Sequence, residues 1–219
     1  MSPMHAYDAM ANEHIRTTFI ALVEAIVPNM PDVAVYGAEQ AAGAVELGIH
    51  DYLIWELDHN LSLFVGYYLA NIPMASSTAM LLNAGAAQLI ASGKAQDPRL
   101  HVVWGGGPFA SLSCRDRIRV LAMLEHLDVD LGCLPPPYKN DGGLVTFIVD
   151  YLNRGTMFGF YSEWSAYGST RLNTPTCRIL EYFPVSWRQV GYPGVSKGYR
   201  AVRGYLLTIE RNGKEASDA

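Results

Sequence analysis

The sequence has few charged residues and few cysteines, and each shortage excludes a class of protein. Only 17% of its 219 residues are charged and 50% are apolar, whereas typical soluble domains are about 25% charged. The apolar excess indicates either a large buried fraction or an apolar surface that a partner covers. The three cysteines, Cys114, Cys133 and Cys177, form no CxxC pair. We therefore expect neither a disulfide framework nor a zinc ribbon.

The chain also lacks a basic stretch, an export signal and a long apolar run. Its lysines and arginines are scattered and its formal net charge is −5, so no nucleic-acid partner is expected. Residues 1–14 contain neither a twin arginine nor a basic region followed by an apolar run, which favours a cytoplasmic location. Every apolar run ends well short of the roughly 18 residues that span a bilayer. A transmembrane protein is not expected.

The apolar pattern predicts an all-α fold, a single-domain helical bundle over residues 1–211 with a flexible tail over residues 212–219. Ser113 followed by Asp116 is typical of a capping box at a helix start. The chain has no repeat, no alternating strand series and no βαβ rhythm. Spacing and helix stop signals predict helices over residues 12–27, 37–59, 78–92, 113–128 and 144–153. Segment 61–72 is predicted as helix or irregular chain, and segment 199–209 as helix or strand.

Motifs for chemistry are weak. The glycine run 105–107 lacks the spacing of a phosphate loop, so we interpret it as a connector. Glu56 and His59 form one Glu-x-x-His, but a di-metal site needs a second copy, which the chain does not have. Serine and cysteine candidates have no nucleophile signature. We identify no catalytic, cofactor-binding or metal-ligating residue.

A long irregular segment rich in aromatic residues, glycine and proline follows the last predicted bundle helix. Between residues 157 and 205 it contains eleven large rings with arginines between them. Large rings of this kind can fill the core of an irregular segment. Trp, Tyr and Arg are also enriched in the residues that dominate protein interfaces. Composition leaves both interpretations open.

Three groups of residues resemble the gamma, or small, subunit of gluconate 2-dehydrogenase and its relatives. The first is the Ile-Val-Pro of residues 26–28 followed by Gly37-Ala38, and the second is Phe109-x-x-Leu112-Ser113. The third and most specific group comprises Gly159-Phe160-Tyr161-Ser162, Tyr167-Gly168, Trp187 and Gly191-Tyr192-Pro193-Gly194. The chain resembles a divergent member, because Glu163-Trp164 stands where the family has Asp-Pro.

The resemblance implies a non-catalytic accessory subunit in a heterodimer. The large subunit, a flavin-dependent oxidoreductase of the glucose-methanol-choline type, would carry FAD and the chemistry, and this chain would bind and stabilise it. No cofactor is then expected in this chain. The candidate contact residues are Trp164, Tyr167, Arg171, Trp187, Arg188, Tyr192 and Tyr199, as anchors or as the packing that shapes the contact. Arg171 and Arg188 alternatively pair with carboxylates inside the subunit.

Two alternatives belong to other classes. The first is a stand-alone helical enzyme with a pocket under the aromatic segment, using Glu163, His59 or Asp58 in acid–base chemistry. The second is a homo-oligomer whose copies cover each other's apolar surface.

Overall fold

Apolar residues at helical spacing fold this chain into an all-α structure, as its pattern predicts. The computed structural model describes residues 3–61, 63–65, 70–97 and 106–194. The α-helices are α1 (Pro3–Ile26), α2 (Ile49–His59), α3 (Ala75–Ala91), α4 (Pro108–Ser111), α5 (Cys114–Glu125), α6 (Gly142–Tyr161) and α7 (Val185–Gln189). Short 3-10 helices cover Pro31–Tyr36, Ala38–Ala41, Leu131–Cys133, Trp164–Thr170 and Pro175–Cys177.

The core lies between the five longest helices. Helix α1 contacts α2, α3, α5 and α6, while α2 also packs on α6, and α5 on both α3 and α6. The buried apolar residues form one cluster. Full burial of one such side chain stabilises the fold by roughly 1.5–3 kcal/mol. Residues fully enclosed in this cluster include Phe19, Leu22, Leu53, Leu82, Leu124, Ile148 and Leu152.

The prediction of one long helix over residues 37–59 is wrong in its first half. Helix α2 begins only at Ile49, because Gly48 adopts a left-handed conformation with φ 69° and ψ 30°. Before it, the chain folds back on the end of α1, where the Ala44 N–H donates to the Val27 carbonyl at 3.0 Å. Gly43 allows this close approach, since a Cβ there would lie 2.5 Å from the backbone nitrogen of Asn29. Tertiary contacts thus override the helix propensity of the alanine-rich run.

Other boundaries differ from the prediction in both directions. Helix α1 begins at Pro3 rather than at residue 12, and α6 continues through Gly155 to Tyr161 instead of ending at residue 153. Segment 61–72 contributes two short antiparallel strands, β1 (Leu63–Val65) and β2 (Ala70–Ile72). The predicted element 199–209 and the tail 212–219 lie outside the described residues.

The start of α5 agrees with the capping prediction. The Asp116 N–H donates to the Ser113 hydroxyl at 3.3 Å, which satisfies one of the free amides of the first turn. The helix ends at Glu125, three residues before the predicted end at residue 128.

Gly159 lies where α6 packs tightly on α2, and this contact generates the first prediction. A Cβ at Gly159 would lie 2.6 Å from the Tyr52 ring, a contact that the buried ring can relieve only by moving. We expect Gly159→Ala to destabilise the protein by about 1–3 kcal/mol. The measurement is the free energy of unfolding in urea.

Gly143→Ala is the matched control on the same helix. Its added Cβ would meet a neighbouring side-chain atom at an ordinary 3.5 Å. Alanine should leave stability unchanged or raise it by about 1 kcal/mol, because it favours the helix. Equal losses in both variants would contradict the proposed contact.

Candidate functional site

The carboxylate of Asp51 joins three parts of the fold in the first turn of α2. Arg16 of α1 donates to its Oδ1 at 2.8 Å, and Arg171 of the C-terminal segment donates to its Oδ2 at 2.8 Å. The Asp51 side chain is only 9% exposed. We call Arg16, His50, Asp51 and Arg171 the Asp51 cluster. Because its carboxylate is buried and accepts from two charged donors, this cluster is a strong polar connection between the bundle and the segment after α6.

His50 is the neutral member of the Asp51 cluster. Arg16 donates to its Nε2 at 2.9 Å, so the ring proton lies on Nδ1, which is buried without a hydrogen-bond partner among the described residues. Burial lowers the pKa of His50 to about 4, and Asp51 opposes this shift while Arg16 and Arg171 reinforce it. The histidine therefore stays uncharged beside two guanidinium groups.

The segment after α6 begins with a buried tryptophan. We call residues 162–194 the C-terminal wrap. The indole N–H of Trp164 donates to the carbonyl of Gly48 at 2.9 Å, and its ring meets Tyr52 edge-on with centroids 5.2 Å apart. Trp164 is 2% exposed. Trp164 therefore packs the start of the wrap onto the bundle and is not exposed as a surface anchor.

Arg178 of the wrap packs on one aromatic ring of the bundle and on two rings of the wrap itself. Its guanidinium carbon lies 4.3 Å from the centroid of Trp55, 5.0 Å from that of Trp164 and 5.9 Å from that of Tyr167. These distances are those of cation–π contacts. A cavity of about 170 Å³ adjoins the guanidinium. We call it the Arg178 pocket, and it is lined by Tyr52, Glu56, Phe158, Ser162, Glu163, Trp164, Tyr167 and Arg178.

Two carboxylates face the Arg178 pocket. Tyr167 donates its hydroxyl proton to Glu163 at 3.0 Å, and Asn60 donates to Glu56 at 3.0 Å. Burial and then Glu56 raise the pKa of Tyr52, while Arg178 opposes the shift. The tyrosine therefore stays protonated, and the pocket combines negative charge with aromatic faces.

The end of the wrap forms a smaller ring cluster around Trp187. Its ring meets Phe183 and Tyr192 edge-on, with centroids 5.7 and 4.9 Å away. Arg188 lies over the Phe183 ring at 5.7 Å. Trp187 is half-buried, whereas Arg188 and Tyr192 are exposed. These edge-on contacts with Trp187 hold the exposed rings of Phe183 and Tyr192 in a defined orientation.

The predicted contact residues therefore separate into three groups. Arg171 makes the internal carboxylate pair that was the alternative to a partner contact. Tyr167 is half-buried beside Trp164 and Arg178, while Trp187, Arg188 and Tyr192 lie together at the end of the wrap. Tyr199 lies outside the described residues.

The residues suggested for a stand-alone enzyme do not meet in one place. Glu163 lines the Arg178 pocket. Asp58 instead accepts the N–H of Ala75 at 2.9 Å, at the start of α3. His59 donates to the Trp55 carbonyl at 2.8 Å and stacks on the Trp55 ring. Of these three residues, only Glu163 lines the Arg178 pocket, and the second carboxylate there belongs to Glu56.

Large apolar side chains are exposed along the end of α6 and the wrap. Tyr182 is 66% exposed and Phe158 68%. Individually exposed apolar residues are common, but a series within one short segment is typical of an interaction surface. We call the following six side chains, each at least 43% exposed, the wrap surface: Phe158, Leu172, Ile179, Tyr182, Val190 and Tyr192.

Neither the described side chains nor comparison with known proteins indicates a metal site, a membrane span or a family. Within the described ranges, no three His, Cys, Asp or Glu side chains gather as metal ligands would. No helix in that part of the chain is both long and apolar enough to cross a bilayer. No family model, curated protein or solved structure matches the chain.

Reasoning from sequence alone missed the two residues that organise the site. Asp51 carries a local signal, because it is an acidic residue three positions after a glycine that begins a helix. Arg178 carries none, since its aromatic partners Trp55 and Trp164 are distant in sequence. The sequence shows that the chain contains these tryptophans, but it does not show that they contact Arg178.

Asp51→Asn tests the connection between bundle and wrap. The substitution removes the counter-charge of Arg16 and Arg171, whose side chains are 46% and 30% exposed, so water solvates part of their charge. We expect a loss of about 1–3 kcal/mol, between the values for exposed and for buried pairs. Asp150→Asn is the matched control, because Asp150 pairs with Arg154 at 2.8 Å on an exposed face of α6. It should cost less than about 1 kcal/mol. Urea unfolding measures both variants, and equal effects would contradict the assigned role of Asp51.

His50 predicts a pH dependence of stability. Its pKa of about 4 in the folded chain lies below the unfolded value of about 6.5. The unfolded chain therefore gains a proton first as pH falls. Neutral His50 contributes stability that is fully present above about pH 6.5, and about 3 kcal/mol is lost as pH falls to 4.

The measurement is the free energy of unfolding in urea at several pH values between 4 and 7. His50→Gln should flatten this profile, because glutamine keeps an acceptor for Arg16 but does not titrate. His126→Gln, at an exposed histidine, should keep the wild-type profile. A wild-type slope that persists in His50→Gln would assign the pH dependence to other groups.

Proposed function

We propose that this chain is a non-catalytic accessory subunit that binds and stabilises an FAD-dependent oxidoreductase of the glucose-methanol-choline type. The observation that carries the proposal is the wrap surface. Its large apolar side chains are exposed in the chain alone, and burying them on a partner is favourable at about 25 cal/mol per Å² of apolar area. The chemistry and the flavin then belong to the partner.

The wrap surface is ordered before binding, which favours tight association. Trp187 fixes Tyr192 edge-on at 4.9 Å, and the Ser186 hydroxyl donates to the Ser162 carbonyl at 3.1 Å. Rings that are already oriented lose little conformational entropy in a complex. Exposed Arg188 supplies a charged group at the edge, a residue type common in interface hot spots.

The class of partner is supported by the position of the family-like motifs. The third resembling group lies at the end of α6 and in the wrap, but its Gly159 and Phe160 are buried, as are Phe109 and Leu112 of the second group. Core packing explains those buried residues, whereas the exposed or half-buried Tyr167, Trp187 and Tyr192 are available to a shared partner. This placement favours the accessory-subunit hypothesis over a stand-alone enzyme.

Stabilisation follows from mass action. A subunit that binds only the folded partner lowers the free energy of that folded state by RT ln(1 + [L]/Kd), which is about 2.7 kcal/mol at 100 times Kd. The partner can therefore depend on this chain for activity although the chain supplies no catalytic residue. Without this chain, the amount of folded flavoprotein would fall.

Co-expression with a flavoprotein oxidoreductase of this type, sought among the neighbouring genes, tests the proposal. We expect the two chains to co-purify in equal amounts with flavin absorbance in the complex. Tyr182→Ser combined with Tyr192→Ser should weaken the complex at least about 100-fold, because both rings lose their contact area. Sedimentation or pull-down from purified chains measures the affinity.

Met80→Ser is the matched control, since Met80 is 52% exposed on α3 and outside the wrap surface. It should leave the affinity unchanged, and circular dichroism of each variant should keep the helical signal. Two results would contradict the proposal: a wrap variant that binds as tightly as the wild type, or a purified chain that turns over a substrate alone.

A further inference from the structure

The guanidinium of Arg178 is surrounded by rings but has few polar partners. Its Nε donates to the Asn173 carbonyl at 3.1 Å, whereas its Nη2 is buried with no hydrogen-bond partner among the described residues. Arg178 forms no ion pair with a carboxylate in the described part of the chain. A guanidinium has five donors and normally uses several of them when buried. The aromatic faces therefore supply most of its stabilisation.

The Arg178 pocket has more negative charge than its own arginine neutralises. Glu56 and Glu163 both line it, so two carboxylates face one guanidinium. Tyr167 and Asn60 donate to these carboxylates and fix their positions. A site with aromatic walls and carboxylates close by favours a positive charge that is only weakly hydrated.

We propose that the Arg178 pocket is a binding site for a small organic cation, an alkylammonium or guanidinium compound, which displaces Arg178. Trp55, Trp164 and Tyr167 contact the cation through their faces, and Glu56 and Glu163 supply counter-charge. The cavity of about 170 Å³, enlarged by the space that Arg178 leaves, has room for a trimethylammonium head group but not for a folded segment of another protein.

The position of Arg178 in the chain permits this exchange. It follows the short 3-10 helix Pro175–Cys177 and precedes Ile179 and Leu180, whose side chains are exposed. The side chain can leave the rings without removing an apolar residue from the core. In the wild type Arg178 competes with the ligand, so the apparent affinity falls in proportion to the fraction of molecules with an open pocket.

Titration of the full chain with tetramethylammonium chloride tests the proposal. Isothermal calorimetry at constant ionic strength compares the wild type with Arg178→Ala, which removes the competing cation. We expect Arg178→Ala to bind at least about tenfold more tightly than the wild type. Adding Trp55→Leu to this variant should reverse the gain, because it removes the closest aromatic face. Adding Glu163→Gln should weaken binding about threefold or more.

Controls separate charge recognition from apolar binding and from unfolding. Arg154→Ala removes an exposed arginine that lies away from the pocket and should bind as the wild type does. Tert-butanol, a neutral molecule of similar shape, should not bind to Arg178→Ala. Arg178→Gln ends where the arginine Nε lies, so it keeps a donor for the Asn173 carbonyl but loses the charge, and it gives the same test if the alanine variant does not fold.

Two outcomes overturn the inference. The first is a folded Arg178→Ala or Arg178→Gln that binds tetramethylammonium no more tightly than the wild type. The second is equal binding of tert-butanol, which would make the pocket merely apolar. Neither outcome bears on the partner complex, because the titration uses the chain alone and none of the substituted side chains belongs to the wrap surface.

Discussion

The position of the C-terminal wrap depends on one carboxylate. Asp51 accepts from Arg16 of α1 and from Arg171 of the wrap, at a point where α2 has just begun and the bundle is already packed. A buried carboxylate with two arginines tolerates little displacement, since its charge is costly when unpaired. The carbonyl of Gly48, three residues earlier, receives the Trp164 indole N–H. One helix start thus fixes both the first turn of the wrap and the arginine that follows it.

The wrap needs such side-chain connections because its backbone forms few regular hydrogen bonds. The Glu181 carboxylate accepts the N–H and hydroxyl of Ser169, and Gln189 donates to the Glu39 carbonyl. Each of these bonds must offset the backbone entropy of an irregular segment, which costs about 1–2 kcal/mol per residue. Few large apolar side chains of the wrap contribute, because most of them face solvent. The segment is held by polar contacts and by buried Trp164, while most of its other large apolar side chains stay exposed.

Sequence patterns predicted the parts of the fold that depend on local interactions. Helix α3 and the capped start of α5 follow from apolar spacing and from a serine three residues before an aspartate. The prediction of a helix over 37–59 was wrong in its first half, because Gly43 packs on the chain at the C-terminal end of α1. That contact is a tertiary effect. The Arg171–Asp51 pair joins residues 120 positions apart, so no local pattern reports it. Composition identified the aromatic segment but could not separate its buried rings from its exposed ones.

The wrap surface and the Arg178 pocket share one loop, and this links the two proposals thermodynamically. Arg178 lies on the rings while its neighbours Ile179 and Leu180 are exposed. The Thr170 hydroxyl donates to the Ile179 carbonyl at 3.1 Å. A movement of the Arg178 backbone therefore also displaces its neighbour Ile179, whose side chain belongs to the wrap surface. If a cation in the pocket changes the affinity of the wrap surface for its partner, the partner must change the affinity for the cation by the same factor. The coupling has a physical route, because one short segment supplies both the internal cation of the pocket and apolar side chains of the surface.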